Sequence, residues 1–268
     1  MPAVLTLTTR RSEATPPPLA PVTGLLHTIF GTDVLPGLAP DLVVTDERGW
    51  LPATDLINGR HLDDLLATAA HRWDAQPHAA AALAWKAYTY WLALPVVLGW
   101  LSARRVPLVD PADVLVRLDD DGPLIAFGLR RSARIAALPT DPAALTGDPR
   151  VRVVRDEAQL LAELRRSLLD AHLDPLLAAI QTRVRIGART LLGSVASGVA
   201  YGVLRAADAV PGSPAGAIDT LLGALDLDDL IELVPGPAGA PMVQRKTCCL
   251  AFTLPKPKFC AGCCVRPS

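Results

Sequence analysis

Apolar and polar positions follow one another along this chain at intervals that predict mostly helices. Between positions 56 and 74 the apolar residues recur every three or four positions, which places their side chains on one face of a helix. They are Leu62, Leu65, Leu66, Ala69 and Trp73. Similar patterns predict further helices over 157–172, 175–207, 214–225 and 226–233. The Asp174-Pro175 pair is expected to cap the second of these, because proline is favoured at the first helical position.

The segment from 78 to 105 is the most apolar part of the chain. It holds 17 uncharged residues between Lys86 and Arg104, with Pro95 in the middle. That number is the lower limit of the roughly 17–25 residues that a membrane-spanning helix needs. Because proline has no N–H to donate within a helix, we expect a buried core helix that is kinked or broken at Pro95, and no transmembrane span.

Strands are predicted in the middle of the chain. The apolar runs 114–118 and 124–129 flank an Asp-Gly turn at Asp119–Gly122, a strong signal for a β-hairpin. Short strands are also expected at 42–45 and 151–154. Together with the helices, these runs predict an α+β protein with a mainly helical main domain and a small antiparallel sheet.

Prolines indicate how the chain is divided. Positions 16–18 and 21 are all proline, which disfavours helix and central strand, so residues 1–21 are expected to form a mobile N-terminal arm. The Pro- and Gly-rich run 235–241 is the strongest break in the pattern. We therefore predict a main domain over 22–237 and a C-terminal segment over 238–268, too short to bury a core of its own.

Composition removes several classes of function. Of the 268 residues 20% are charged, and the net charge is −1, so there is no basic surface excess of the kind that binds nucleic acid. The glycines between 187 and 202 lie within an apolar helical pattern rather than a phosphate-binding turn. The first residues lack the basic and apolar regions of a secretion signal, so a cytoplasmic location is expected, with contact to the inner face of the membrane left open.

All five cysteines lie within the last 21 residues. Cys248 and Cys249 are adjacent, and ten residues later Cys260 and Cys263 form a C-x2-C pair that is followed at once by Cys264. Four thiolates make a complete ligand set for an iron–sulfur cluster or for a structural zinc ion. The concentration of thiols therefore indicates a metal centre.

The spacing favours iron and sulfur over zinc. Neighbouring side chains in an extended segment point to opposite faces, which suits the extent of a two-iron cluster better than a single tetrahedral ion. Zinc modules more often present two C-x2-C pairs. A zinc site, and a disulfide or regulatory thiol set, both remain alternatives at this stage.

The C-C-x10-C-x2-C pattern resembles that of the FhuF-like ferric siderophore reductases. The matching residues are Cys248, Cys249, Cys260 and Cys263, preceded by a basic lead at Arg245-Lys246. Weaker likenesses are the tryptophan-rich helix at 85–100 and the stretch 191–197. The chain departs from the pattern at Cys264, an alternative fourth ligand, although Cys263 is the expected one.

The resemblance implies a [2Fe-2S] cluster on these four cysteines and a cytoplasmic oxidoreductase. The implied reaction transfers one electron from the cluster to Fe(III) held by a siderophore, and so releases Fe(II) for iron uptake. Because no flavin or dinucleotide motif is found, the electron is expected from a separate donor protein such as a ferredoxin. The rival interpretation is a non-catalytic [2Fe-2S] or zinc protein that senses redox state or iron.

Basic residues surround the cysteines, and no acidic residue occurs between positions 242 and 268. They are Arg245, Lys246, Lys256, Lys258 and Arg266. We expect them to tune the cluster, to attract an acidic donor protein or to hold an anionic ferric chelate. The alternative is a basic tail that is simply solvated.

Overall fold

The computed structural model describes residues 17–31, 35–119, 122–236 and 239–265. The α-helices are α1 (Ala20–Phe30), α2 (Ala53–Ile57), α3 (Leu62–Trp73), α4 (Pro77–Ala103), α5 (Glu157–Arg165), α6 (Asp174–Arg183), α7 (Ala188–Ala206) and α8 (Pro214–Leu225). The strands are β1 (Leu38–Val43), β2 (Leu51–Pro52), β3 (Arg105–Pro107), β4 (Val114–Leu118), β5 (Ile125–Leu129), β6 (Ile135–Ala137), β7 (Val151–Val153), β8 (Ile231–Pro235) and β9 (Pro241–Arg245). The predicted mainly helical α+β fold is confirmed.

Helix α4 lies at the centre of the core and packs against α1, α3 and α7. It is long and apolar enough to cross a membrane by length and composition, but 72% of its most apolar 18-residue window is buried within the protein. The helix does not end at Pro95, which lies inside it. Trp85 Nε1 donates a hydrogen bond to the carbonyl of Leu191, 2.8 Å away in α7. The apolar run is therefore the core helix that its sequence predicts.

The strands form three small sheets rather than one antiparallel sheet. The predicted hairpin is present, because β4 and β5 pair antiparallel; Asp120 and Asp121 of its turn lie outside the described residues. However, β1 joins β5 in parallel, and β6 and β7 are also parallel. Such pairings bring together strands that are distant along the chain, so local patterns do not reveal them.

Two predictions for the segment 174–207 are wrong. The expected helix over 175–207 is two helices, since α6 ends at Arg183 and α7 begins after Gly187. Asp174-Pro175 does not cap a new helix, because α5 continues through a π-helical segment, Arg166–Leu173, into α6.

The predicted helix over 226–233 is also wrong. Asp226 adopts a left-handed conformation, with φ of 55°, and ends α8. A 3₁₀ turn over Asp228–Leu230 follows, and then β8 pairs antiparallel with β9. The Pro- and Gly-rich run thus forms the turn of a hairpin, with Pro237 and Ala238 outside the described residues. Most of the expected arm, residues 1–16, also lies outside them, and α1 begins at Ala20.

Candidate metal centre

The C-terminal cysteines are held by the β8–β9 hairpin. At the end of β9, the Arg245 N–H donates a hydrogen bond to the Gly262 carbonyl at 3.0 Å. The N–H of the next residue, Lys246, donates to the Leu230 carbonyl, also at 3.0 Å. The last part of the chain therefore returns alongside β9. A Cβ on Gly262 would lie 1.7 Å from the carbonyl oxygen of Val243, so only glycine permits this close approach. The return brings the C-x2-C pair next to the Cys248-Cys249 pair.

The hairpin and the cysteine segment dock on helix α7. At Gly193 an added Cβ would lie 1.8 Å from Thr247 Oγ1, so the absence of a side chain there lets Thr247 pack directly against the helix. Arg245, which precedes the Cys248-Cys249 pair, donates a hydrogen bond from its Nη2 to Ser194 Oγ at 3.0 Å. Two adjacent α7 residues thus receive the segment that carries the predicted ligands.

The thiols differ in exposure and interact with one another. Cys249 is buried, with 4% of its surface exposed, Cys248, Cys260 and Cys263 are half-buried, and Cys264 is exposed. A hydrogen bond from Cys260 to Cys249 lowers the pKa of the Cys249 thiol and raises that of Cys260. Deprotonation of Cys249 is therefore favoured, as metal ligation by a thiol requires.

Cys248 belongs to the same group of thiols. Its Sγ accepts a hydrogen bond from the Leu250 N–H at 3.3 Å. Burial is the main reason that its pKa is raised, and negative charge on Cys264, Cys249 and Cys263 raises it further. Cys248 therefore lies within electrostatic range of Cys249, Cys263 and Cys264.

The donor set matches an iron–sulfur cluster in chemistry, and one pair of its thiols, Cys249 and Cys260, is in hydrogen-bond contact. Cluster ligation uses thiolates, and these are the side chains that the fold gathers. Among the residues that the structure describes, no three His, Cys, Asp or Glu side chains are positioned to hold a single metal ion. The ligand set Cys248, Cys249, Cys260 and Cys263 stays a prediction, as does the choice of Cys263 over Cys264.

The five predicted basic residues lie in different environments. Lys246, Lys256 and Lys258 are exposed, and Arg266 lies outside the described residues. Arg245 is only 2% exposed, and its Nε and Nη1 have no hydrogen-bond partner among the described residues. A buried charge without a full set of partners is costly, so Arg245 is the basic residue whose position most needs a nearby negative group. It is one of the charges that lower the pKa of Cys249.

Lys86 is a site residue that the sequence analysis missed. Its ammonium lowers the pKa of both Cys249 and Cys260, although it lies on α4, far from them along the chain. One sequence signal was available, because Lys86 is the only charged residue within α4. A lone charge in an otherwise apolar helix indicates a partner or a binding site.

The fold and the site define a mainly helical α+β protein that carries a cysteine-rich segment on its core. The sequence matches the family described as "Ferric iron reductase FhuF-like transporter" over residues 83–225, more than half of the chain. The chain belongs to this FhuF-like family. The matched range includes the tryptophan-rich helix and the 191–197 stretch, which were the weaker of the likenesses, and it ends before the cysteine pattern that first indicated the resemblance.

Solved structures with a similar fold include two of one enzyme, and no curated protein matches the sequence. Both are of aerobactin synthetase IucA from a hypervirulent pathotype of Klebsiella pneumoniae. One has 17% identity and a TM-score of 0.45 over 68% of this chain. The other, bound to ATP, has 16% identity and a TM-score of 0.47 over 71% of this chain. In each case the match spans 33% of the synthetase chain.

Proposed function

We propose that this protein is a ferric siderophore reductase that holds a [2Fe-2S] cluster on Cys248, Cys249, Cys260 and Cys263. The observation that carries the proposal is the contact between two parts of the chain. The region that matches a ferric iron reductase family includes α7, and the cysteine segment docks on α7 through Thr247 and Arg245. The cysteine segment thus packs on the region that matches the family and is not an unattached tail.

The residues around the thiols suit redox chemistry. When bound, a [2Fe-2S] cluster supplies a carrier for one electron. Arg245 and Lys86 place positive charge near Cys249, and Lys86 also acts on Cys260, so both offset part of the negative charge of a thiolate set. Burial of Cys249 shields that side of the site from water, while the half-buried Cys260 and Cys263 leave the opposite side accessible.

The substrate is Fe(III) in a siderophore. Fe(III) takes up one electron and becomes Fe(II), which binds hard oxygen donors less strongly and leaves the chelate. The electron is replaced by a donor protein such as a ferredoxin, for which the exposed Lys246, Lys256 and Lys258 offer a positively charged docking surface. We place the reaction in the cytoplasm, and the burial of α4 within the protein supports a core helix rather than a membrane span.

Spectroscopy of anaerobically purified protein tests the cofactor. We expect visible absorption that bleaches on dithionite and an EPR signal that appears on reduction. Cys248→Ser should lose both signals, and the matched variant Cys264→Ser should keep them. A colourless protein that retains stoichiometric zinc would refute the proposed cluster. Loss of both signals in the Cys264 variant would show that Cys264, and not Cys263, is the fourth ligand.

Turnover tests the reaction. The dithionite-reduced protein, freed of reductant, should be reoxidised by ferric siderophores with one Fe(II) released for each electron. Fe(II) is measured with a ferrous-specific chromophore under anaerobic conditions. A cluster that forms but is not reoxidised by any ferric chelate would make the protein a redox or iron sensor instead.

A further inference from the structure

The guanidinium of Arg245 is buried and has too few partners within the described chain. Arg245 is 2% exposed, and its Nη2 donates to Ser194 Oγ at 3.0 Å and to Thr247 Oγ1 at 3.5 Å. Three buried side-chain nitrogen or oxygen atoms of the described residues have no hydrogen-bond partner, and two of them are Arg245 Nε and Nη1. No ion pair joins Arg245 to another described residue. Buried donors and buried charges are normally paired, so Arg245 requires a negative acceptor that these residues do not supply.

We propose that Arg245 donates hydrogen bonds from Nε and Nη1 to sulfur atoms of the bound cluster and so raises the reduction potential of the cluster. This inference rests on the proposed [2Fe-2S] cluster and deepens it, because it assigns the side chain that sets how readily the cluster accepts an electron. It singles out Arg245 from Lys246, Lys256 and Lys258, which are exposed.

Another buried arginine shows how this fold satisfies a guanidinium when the partner belongs to the chain. Arg105 is 6% exposed. Its Nε donates to one Asp141 carboxylate oxygen at 3.0 Å, and its Nη2 donates to the other. Its Nη1 donates to the Pro18 carbonyl at 2.8 Å. All three nitrogens of Arg105 thus have partners and its charge is compensated, whereas two nitrogens of Arg245 have none among the described residues.

The backbone places Arg245 between the two cysteine pairs. Its N–H donates to the Gly262 carbonyl at 3.0 Å, and Gly262 lies within the C-x2-C pair. In the other direction, Cys248 follows only three residues after Arg245. The positive charge is also close enough to lower the pKa of Cys249. Arg245 therefore lies beside the thiols that are predicted to hold the cluster.

The surroundings of Arg245 favour sulfur as the acceptor. No acidic residue occurs between positions 242 and 268, and the residue that pairs with Arg245 across the hairpin is Ile231. A water molecule can accept hydrogen bonds, but it does not compensate a buried positive charge. The negative groups that the fold brings to this position are thiolates, and hydrogen bonds to the sulfurs of a cluster are among the factors that set its potential.

Burial strengthens the effect on the potential. Reduction adds one negative charge to the cluster, so a positive hydrogen-bond donor stabilises the reduced form more than the oxidised form. Salt screens an exposed charge, but it screens a buried charge much less. Loss of the Arg245 guanidinium should therefore make the cluster harder to reduce.

Redox titration of the cluster-loaded protein, followed by the EPR signal of the reduced cluster, tests the inference. Arg245→Gln should weaken one-electron reduction about tenfold, which corresponds to a potential about 59 mV more negative. Arg245→Lys keeps a positive charge but lacks the planar fork of donors. Its potential should also be more negative than that of wild type.

The matched control is Arg189→Gln. Arg189 is exposed on α7, the helix that receives Arg245, and it pairs with Asp229. Because water and salt screen this charge, the equilibrium constant of reduction should stay within about twofold of wild type.

A purely structural role of Arg245 predicts a different pattern. If the side chain only fastens β9 to α7 through Ser194, Arg245→Gln will lower the thermal stability of the protein and leave the potential at the wild-type value. That result would overturn the inference, and so would a wild-type potential in Arg245→Lys. The Arg245→Lys measurement decides by itself if Arg245→Gln takes up no cluster.

Iron and sulfide analysis of wild type, together with its reoxidation by ferric siderophores, separates this inference from the proposed function. If wild type holds a cluster whose potential does not depend on Arg245, only this inference fails. If the potential depends on Arg245 but ferric siderophores do not reoxidise the reduced protein, the inference stands and the reductase proposal fails. A wild-type protein that holds no cluster after anaerobic reconstitution would refute the proposed cofactor, and this inference with it.

Discussion

Protonation of His172 should control a large part of the pH dependence of stability. The imidazole is fully buried. Its Nδ1 lies 2.7 Å from the carbonyl of Val109, which can only accept, so Nδ1 carries the proton. Its Nε2 lies 2.6 Å from the Tyr88 hydroxyl and accepts a hydrogen bond from it. Burial lowers the pKa of His172 from 6.5 to about 4, against the opposing effects of Val109 and Asp110.

The sign follows from linkage. Between about pH 6.5 and pH 4 the unfolded chain binds a proton at this position and the folded chain does not, so the free energy of unfolding falls as the pH falls through that range. Above about pH 6.5 the contribution is constant. Each pKa unit corresponds to about 1.4 kcal/mol. The full effect is therefore about 3 kcal/mol, of which about 2 kcal/mol should be lost between pH 7.5 and pH 5.

Urea unfolding of wild type, His172→Gln and His71→Gln across this range measures the effect. His71 is exposed in α3, so its variant should keep the wild-type pH dependence. The His172 variant should be less stable overall. Between pH 7.5 and pH 5 its free energy of unfolding should fall by about 2 kcal/mol less than that of wild type. The His172 imidazole of wild type should also stay neutral by NMR at pH 5. A His172 variant with the wild-type pH dependence would refute the reasoning.

Two further predictions concern glycines. Gly262→Ala should cost about 1–3 kcal/mol of stability and reduce the iron bound per chain, because the new Cβ would lie 1.7 Å from the Val243 carbonyl oxygen; unfolding curves and iron analysis measure this, and full iron loading at wild-type stability would contradict it. Gly193→Ala should also destabilise, because Thr247 Oγ1 occupies the space. In the matched variant Gly223→Ala nothing lies within 4 Å of the new Cβ, so helix propensity should stabilise the protein by up to about 1 kcal/mol. Equal effects of the two helix substitutions in thermal unfolding would show that the Thr247 contact is not what constrains Gly193.

Local chemistry explains which elements the sequence predicts correctly. The β4–β5 hairpin is signalled by its Asp-Gly turn, and α8 by Ser213, whose Oγ accepts from the Gly216 N–H at 3.2 Å. Both signals act between residues close along the chain. By contrast, the break between α6 and α7 has no proline, and the helical pattern continues across it, so the position of the break depends on packing.

The candidate site also combines features that the sequence predicts with features that depend on packing. The identity and spacing of the cysteines are properties of the sequence and carried the first resemblance, whereas the family match itself covers residues 83–225. Ser194 and Gly193 carry no local mark of their role, and the lone charge of Lys86 in α4 does not reveal which residues it faces. They join the site only because α4 and α7 pack side by side and α7 receives Thr247.

The sequence by itself therefore determined the helical core segment, the hairpin and the set of thiols, because periodicity, turn chemistry and cysteine spacing are local. Tertiary structure decided that 231–235 is a strand, because β8 exists only through its pairing with β9. It also decided that Arg245 is buried while the neighbouring lysines are exposed. Whether a cation belongs to a site depends on the segments that pack against it. Contacts between such distant segments depend on the free energy of the whole packed core, and local sequence patterns do not determine them.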